Sequence, residues 1–414
     1  MNAQENTAAR PEDSPILLAY SGGLDTSFCV PWLKENFGRP VITVTVDTGG
    51  LDDEARAGLA ARSAALGAER HLTIDAREAF FEGVLRWLIA GNVRRGGLYP
   101  LCVGAERGIQ AARMATAAAE HGAVTVAHGC TAAGNDQVRF EVALRTLDPS
   151  LEVLAPVRDN SWARADQLAY LESHGMPVPK SGSAYSINRG LWGVTIGGRE
   201  TLDSRGSIPE DAWVLSAGAL TSAAAPESHR IGFEKGRPVS VDGDELDPVA
   251  VIERLEALGG RFAIGRGIHL GDTILGTKGR VAFEAPAAEI LLTAHRELEK
   301  LVLSGPQQRI KDTVAAAYGD FVHEGRQLDP VCRDIEALFA SSQEHVTGEV
   351  TVELRPGSVF VEGVTSPYSL MAASKGVYGE AAGEWTPADA VGYSRIAALA
   401  GMLQTRAARQ AGEA

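Results

Sequence analysis

Residues 16–28 read ILLAYSGGLDTSF, and they constrain the fold more than any other stretch of the chain. Ile16, Leu17, Leu18 and Ala19 form a short apolar run of the kind a buried strand needs, after which the residues turn abruptly small and hydroxyl-bearing. Gly22 and Gly23 lack a Cβ, so the backbone can turn tightly and approach a ligand closely, while Asp25, Thr26 and Ser27 suit the opening of a helix. A strand that feeds a glycine turn and then a helix points several backbone N–H groups and a helix N-terminus at one place. That place suits a phosphate.

Spacing excludes two common phosphate loops: neither G-x-x-x-x-G-K-[ST] nor G-x-G-x-x-G fits Gly22, Gly23 and the residues after them. The stretch is similar instead to S-G-G-x-D-[ST], the loop of the ATP pyrophosphatases, which cut ATP between its α and β phosphates. An ordinary strand-to-helix turn accounts for the glycine pair, but not for Ser21, Asp25, Thr26 and Ser27 together.

At 414 residues the chain exceeds one ordinary core, so two domains are expected. No apolar run approaches the roughly 20 residues of a membrane span, so no membrane partner is expected. With 53 acidic against 39 basic residues the net charge is −14, which argues against a nucleic-acid partner but allows a local basic pocket for ATP. Residues 1–14 are polar, with no apolar core and no basic start, and read as a disordered tail rather than a signal peptide. Cys29, Cys102, Cys130 and Cys332 are scattered without a C-x-x-C pair or metal spacing. They read as small buried groups in a reduced cytoplasm, and no protein metal site is expected.

After the loop a helix carries Cys29, Leu33 and Phe37 and ends at Gly38; Val41 to Val46 is wholly β-branched, as a strand covered on both faces would be. A helix from about Asp53 to Leu66, a strand near His71 to Ile74, an alanine-rich helix from about Ala105 to His121, a strand Ala123 to Ala127, an apolar stretch Val153 to Val157 and a helix from about Ala165 to His174 continue the alternation. Strands alternating with helices imply a parallel sheet whose ligands collect outside the strands' carboxyl ends, so Ser21 to Ser27, Asp47 and the segment from Gly129 should meet at one crevice. Pro177 and Pro179 mark a boundary near Met176. Beyond it lie short strands (Val239 to Val241, Val350 to Leu354, Val359 to Glu362) and long helices (Val249 to Leu258, Ala287 to Leu303, Gln308 to Tyr318). From about Pro387 to Ala411 a helix carries Ala388, Ile396, Leu399 and Leu403 in a stripe, which would pack on a partner subunit or on its own chain.

A second dense polar group follows a strand end: residues 129–141 read GCTAAGNDQVRFE, placing Thr131, Asn135, Asp136 and Arg139 together. Turn chemistry accounts for Asn135 and Asp136 but less readily for Arg139. With this motif beside AYSGGLDTS the chain resembles the argininosuccinate synthase family. Further matches are Tyr99-Pro100-Leu101, Tyr185-Ser186-Ile187 with Leu191-Trp192-Gly193, then Gly265-Arg266 with Gly276, Lys278, Arg280, Glu284 and Pro286, and the run AHRELE from Ala294 to Glu299. They span roughly residues 16–403.

The resemblance implies an α/β protein: a disordered tail over 1–14, a parallel-sheet ATP pyrophosphatase domain of the adenine nucleotide α-hydrolase type over 15–176, an α+β synthetase and multimerisation domain over 177–385, and a C-terminal helical tail over 386–414. It implies a ligase in which the ureido oxygen of citrulline attacks the α-phosphate of ATP, pyrophosphate leaves, and aspartate's amine then displaces AMP. Magnesium would travel with the phosphates, and the assembly would be a homotetramer of the cytoplasm. Carried over by position, Ala19, Tyr20, Ser21, Gly22, Gly23, Leu24, Asp25, Thr26 and Ser27 cradle ATP, with Val46 near the adenine and Gly129 against the nucleotide. Thr131, Asn135 and Asp136 match the aspartate positions, and Tyr99, Asn135, Arg139, Ser186 and Thr195 the citrulline side. Asp25, Ser21 and Arg139 are the expected catalytic residues.

The match is partial on the citrulline side. The family's serine five residues after the tyrosine is Gly104, and the threonine before it is Val103. The glutamate that would hold citrulline's amino end falls on Gly271, the tyrosine twelve residues later on Phe283, and a lysine in the second motif on Ala133. Three readings stay open: the family reaction itself, activation of a different ureido, amide or carboxyl acceptor coupled to aspartate, and a non-catalytic relative that binds ligand or a partner subunit.

Overall fold

The computed structural model describes residues 14–178, 185–222 and 224–413. Most of the expected tail, residues 1–13, lies outside the described residues, as does Pro179; Ser14 is buried, its Oγ and carbonyl accepting from Arg39. Five strands, β1 (Ile16–Ala19), β2 (Val41–Asp47), β3 (Arg70–Asp75), β4 (Thr125–His128) and β5 (Glu152–Leu154), form a parallel sheet in the order β3-β2-β1-β4-β5. Ala19 pairs with Val44 on one side and His128 on the other, so β1 and β4 end level where the strand order reverses, and β2 runs on to Asp47 beside them. Loops from these three ends therefore share one crevice.

Both faces of this sheet are covered, as the β-branched run of β2 requires. Ile16 and Leu18 point to the side of Phe28, Cys29 and Leu33 on helix Leu24–Phe37, while Leu17 points to the side of Ala111, Met114 and Ala118 on helix Arg107–Glu120. Several boundaries differ from the sequence reading: the strand read as Ala123 to Ala127 is Thr125–His128, and the helix read as Gln308 to Tyr318 runs Gly305–His323. The alanine-rich helix begins at Arg107, after a single turn of 3-10 helix at Gly104–Glu106. The apolar stretch 153–157 is not one strand: β5 stops at Leu154, and Pro156 opens a short helix, Pro156–Asp159, where its fixed φ and missing N–H cost least.

The second half holds two antiparallel sheets. Strands β6 (Ser186–Gly190), β7 (Gly193–Gly197), β11 (Arg266–Asp272) and β12 (Lys278–Glu284) are ordered β11-β12-β7-β6; β8 (Glu227–Glu234), β9 (Arg237–Val241), β10 (Asp244–Glu245), β13 (Gly348–Arg355) and β14 (Ser358–Thr365) are ordered β10-β9-β8-β13-β14. The largest core gathers β8, β9 and β13 with helices Pro248–Gly260, Pro286–Val302, Gly305–His323 and Pro330–Gln343, and it also takes in Phe80 to Ala105. A segment from the first half of the chain thus packs into the second core and carries Tyr99 with it.

Inside that core the AHRELE run forms a buried polar network. Lys311 Nζ donates to Glu299 Oε1 and to the carbonyl of Ala90 at 2.8 Å, Asn92 Nδ2 donates to Glu299 Oε2 at 2.6 Å, and Gln343 Nε2 donates to Glu299 Oε1 at 2.7 Å. His295 lies between Asn92 and Gln343, 2.8 Å from each. At the chain's end the expected single helix is two, Pro387–Ala397 and Leu399–Gln410, and their Tyr393 and Ile396 are 75% and 76% exposed. Packing of this stripe on its own chain is not observed, and Leu399 and Leu403 are exposed as well.

Candidate active site

The loop after β1 is shaped by its own side chains. Gly22 sits at φ +71°, and a Cβ there would stand 2.5 Å from Leu59 Cδ2; its carbonyl accepts from Arg62 Nη1 at 2.6 Å. Thr26 Oγ1 accepts from the Ser21 N–H at 3.3 Å, and it lies 3.2 Å from Ser21 Oγ. Helix Leu24–Phe37 starts at Gly23, which offers no side-chain cap, so the first N–H groups of the helix are left for a ligand. Gly129, just past β4, closes against this turn: a Cβ there would lie 3.0 Å from the backbone nitrogen of Thr26. A side chain at 129 would press the turn back by a few tenths of an ångström.

A cleft of about 700 Å³ opens at this point. Ala19, Tyr20, Ser21, Gly23, Asp25, Thr26, Val46, Gly129, Thr131, Asn135, Asp136, Arg139 and Ser186 line it, with Met114 and Leu59 supplying apolar wall. Three of the expected loop residues stand behind the wall: Gly22 is buried against Leu59, and the first turn of the helix directs Leu24 and Ser27 into the protein. The Tyr20 ring is also buried, edge-on to His71 at 5.8 Å, so this residue offers the cleft its main chain.

A second cavity of about 290 Å³ adjoins the first, and Tyr99, Thr195, Gly104 and Gly271 line it. Asn135, Asp136 and Arg139, at the start of helix Asp136–Leu147, belong to the walls of both. Asp136 is gripped by Arg107 Nε at 3.0 Å and Arg139 Nη1 at 2.8 Å. Burial pushes its carboxyl up, but the two guanidiniums outweigh that and hold it at about 2. Arg139 is fixed in turn by the end of helix Gly305–His323: Nε donates to the His323 carbonyl at 2.7 Å, and Nη2 lies 3.1 Å from His323 Nδ1. The side chain rests on Gly104, where a Cβ would stand 3.3 Å from the guanidinium carbon. Asn135 Oδ1 accepts from the Ile274 N–H at 2.9 Å, which leaves the NH₂ as the free end of the amide.

Other sequence candidates take structural places. His128 is buried, stacks on Phe140 at 5.9 Å and is lowered to about 4 by burial, so it is a packed neutral residue. Lys278 pairs with Asp272 on the surface, and Arg280 donates to the carbonyls of Glu200, Asp203 and Gly206. Phe283 packs against the Tyr99 ring at 5.1 Å.

One residue of the cleft went unread in the sequence. Glu106 is buried beside Arg107; its Oε2 accepts from Thr48 Oγ1 at 2.8 Å, while Oε1 has no partner among the described residues. Burial raises its carboxyl to about 7 against the pull of Arg107. The signal was a lone acid inside the alanine-rich run VGAERGIQAA. Because the folded protein holds this proton more tightly than the unfolded chain, the stability Glu106 contributes is complete below about pH 4.5 and is lost as pH rises through about 7. Glu106→Gln is therefore expected to flatten the fall in stability over that window and to leave the variant up to about 3 kcal/mol more stable at pH 8, checked by denaturant unfolding across pH.

A parallel five-stranded sheet with a glycine loop after its first strand, a polar cleft at the switch point and a second cavity walled by the C-terminal half defines a nucleotide-binding α/β enzyme of two parts. The chain matches the model of the arginosuccinate synthase N-terminal HUP domain over residues 15–177 and that of the arginosuccinate synthase C-terminal domain over residues 185–404. It is 39% identical over 407 residues to the argininosuccinate synthase of Xanthomonas campestris, covering 95% of this chain and 99% of the relative. It is 38% identical to that of Methanocaldococcus jannaschii (86% and 89%) and 39% identical to that of Pyrobaculum aerophilum (91% and 94%). The chain belongs to the argininosuccinate synthase family, and so to the ATP-dependent carbon–nitrogen ligases.

Proposed function

We propose that this protein adenylates the ureido oxygen of citrulline or a close analogue and condenses the product with L-aspartate, releasing pyrophosphate and AMP. One observation carries the reading: Asn135, Asp136 and Arg139 wall both cavities, so an acceptor in the smaller one and ATP in the larger meet across a single polar helix start. A urea carbon is a poor electrophile because both nitrogens donate into it, so its oxygen must first become a leaving group. Attack of that oxygen on the α-phosphorus expels pyrophosphate toward the uncapped N-terminus of helix Leu24–Phe37. The aspartate amine, once deprotonated, then adds to the activated carbon and AMP leaves with the former ureido oxygen.

In this reading Ala19 to Ser27 hold ATP, Val46 and Gly129 flank the nucleotide, and Ser21, Asp25 and Arg139 are the catalytic residues. Thr131 and the NH₂ of Asn135 donate to the carboxylates of aspartate, and Asp136, held ionised, meets its α-ammonium. Tyr99, Arg139, Ser186 and Thr195 serve the acceptor. Magnesium carried in with the phosphates would neutralise charge on the leaving pyrophosphate, with Asp25 as the residue to hold it. Asp25 suits an ion carried in this way, being the one carboxylate of the loop, whereas Asp47 is already taken by Arg56 and the Gly49 N–H. We also propose the division into residues 15–176, 177–385 and 386–414, a cytoplasmic setting in keeping with four free cysteines, and a homotetramer that covers the exposed Tyr393, Ile396, Leu399 and Leu403.

The test is product analysis with ATP, aspartate and a panel of ureido compounds. AMP and pyrophosphate are expected in equal amounts, dependent on both acceptor and aspartate. Formation of ADP and inorganic phosphate would overturn the reading.

A further inference from the structure

The smaller cavity has an unusual charge at its far end. A side chain at position 271 would emerge between two residues already there, with its Cβ 2.6 Å from His269 Nε2 and 3.0 Å from Arg95 Nη1. A guanidinium and an imidazole thus occupy the space into which a longer residue 271 would project. Arg95 is held in place from three sides: Nη1 lies 3.1 Å from His269 Nε2, Nη2 donates to the Asp272 carbonyl at 3.0 Å, and Nε faces the exposed Asp320 at 3.5 Å. His269 is in turn stacked on Tyr99, with ring centroids 5.3 Å apart.

The carboxylates in this wall are committed. Asp136 is shared by Arg107 and Arg139 and, in the ligase reading, is taken by the ammonium of the aspartate, and Asp272 pairs with Lys278 at 2.5 Å; no other acid lines the cavity among the described residues. The donors, by contrast, include an unused one. His323 is 8% exposed and lines the cavity. Its Nδ1 faces Arg139 Nη2, which can only donate, so the proton is on Nε2, and Nε2 has no hydrogen-bond partner among the described residues. Thr195 Oγ1 and the NH₂ of Asn135 add further donors.

An α-amino acid placed here would bring its ammonium to a wall of donors with no free carboxylate, beside a guanidinium. A carboxylate would meet charge-assisted partners. Resting on the ligase reading above, we infer that the acceptor of this enzyme is a ureido carboxylate without an α-ammonium, its carboxylate directed at Arg95 and His323 and its ureido oxygen at the ATP cleft. The substrate class is therefore a ureido acid rather than a zwitterionic ureido amino acid.

The experiment compares 5-ureidopentanoate, citrulline and 4-ureidobutylamine, which differ only in carrying a carboxylate, both groups, or an ammonium alone. With ATP and aspartate, kcat/KM from pyrophosphate release is expected to favour 5-ureidopentanoate over citrulline by roughly tenfold or more, with the amine lowest, since a charged hydrogen bond is gained and an unpaired ammonium avoided. In Arg95→Gln the preference should shrink several-fold while the KM for ATP stays unchanged. Equal or better use of citrulline by the parent enzyme overturns the inference. Should no acceptor turn over, the ligase reading fails, and calorimetric binding in the presence of a non-hydrolysable ATP analogue still decides. Tighter binding of 5-ureidopentanoate upholds the inference, whereas tighter citrulline or no binding of either overturns it.

Discussion

Asp25→Ala is expected to lower pyrophosphate release by at least roughly 10²–10³-fold, the scale on which losing one preorganised charge-stabilising group acts, and to do so without unfolding the protein. Asp25 stands in the first turn of helix Leu24–Phe37, lines the larger cleft with Ser21 and Thr26, and makes no hydrogen bond that holds the loop together among the described residues. The loop's shape rests instead on Thr26, on the positive φ of Gly22 and on Arg62, which Asp25→Ala leaves in place. Loss of an acid near a helix N-terminus costs only about 0.3–1 kcal/mol. The measurement is a steady-state pyrophosphate assay beside a thermal melt. Retained activity, or activity lost in step with the melting temperature, would contradict the role given to this residue.

The largest effect on stability is expected at Glu299. Both of its oxygens are used inside the second core, by Lys311, Asn92 and Gln343, and neither Glu299 nor Lys311 is exposed. Glu299→Ala would strand the Lys311 ammonium, whose charged form burial already disfavours, with the Ala90 carbonyl as its one remaining hydrogen-bond partner among the described residues. Breaking a buried pair by removing one partner costs about 3–5 kcal/mol, a large fraction of what holds a domain together. Chemical denaturation of Glu299→Ala should show that loss. Exchanging both partners for apolar residues, as in Glu299→Leu with Lys311→Met, should recover much of it, because no unpaired charge remains. The helix Gly305–His323 that carries Lys311 ends at His323, which fixes Arg139, so this arginine in the cavity wall should loosen along with the network.

The parts of the molecule legible in the sequence are those written in local pattern. Ile16 to Ala19, the β-branched run of β2 and the glycine loop between strand and helix depend on neighbours a few residues away, and they announced the parallel sheet and its crevice. Residues 129–139 were legible for the same reason, as polar groups directly after β4. Much of the second half was not: β6, β7, β8, β11 and β12 alternate weakly, and β11 carries Gly267, Gly271 and charged ends, so no run of apolar residues marked it.

The acceptor side was hardest to read because its partners are far apart in sequence. Arg95 meets His269 across 174 residues, and Arg139 meets His323 across 184. Gly104 and Gly271 stood out in the sequence as missing side chains, yet what fills the space beside them, Arg139 at one and Arg95 with His269 at the other, is visible only in three dimensions. Glu106 escaped for a related reason, since burial beside Thr48 rather than any motif sets its titration near neutrality.

The central claim is that a ureido oxygen attacks the α-phosphorus of ATP. Turnover of an acceptor labelled with ¹⁸O in its ureido group, in the presence of ATP and aspartate, tests it most directly by mass spectrometry of the products. The mechanism predicts one ¹⁸O in AMP and none in pyrophosphate, because the oxygen that attacks phosphorus leaves with it. Unlabelled AMP, or label in pyrophosphate or inorganic phosphate, would contradict it.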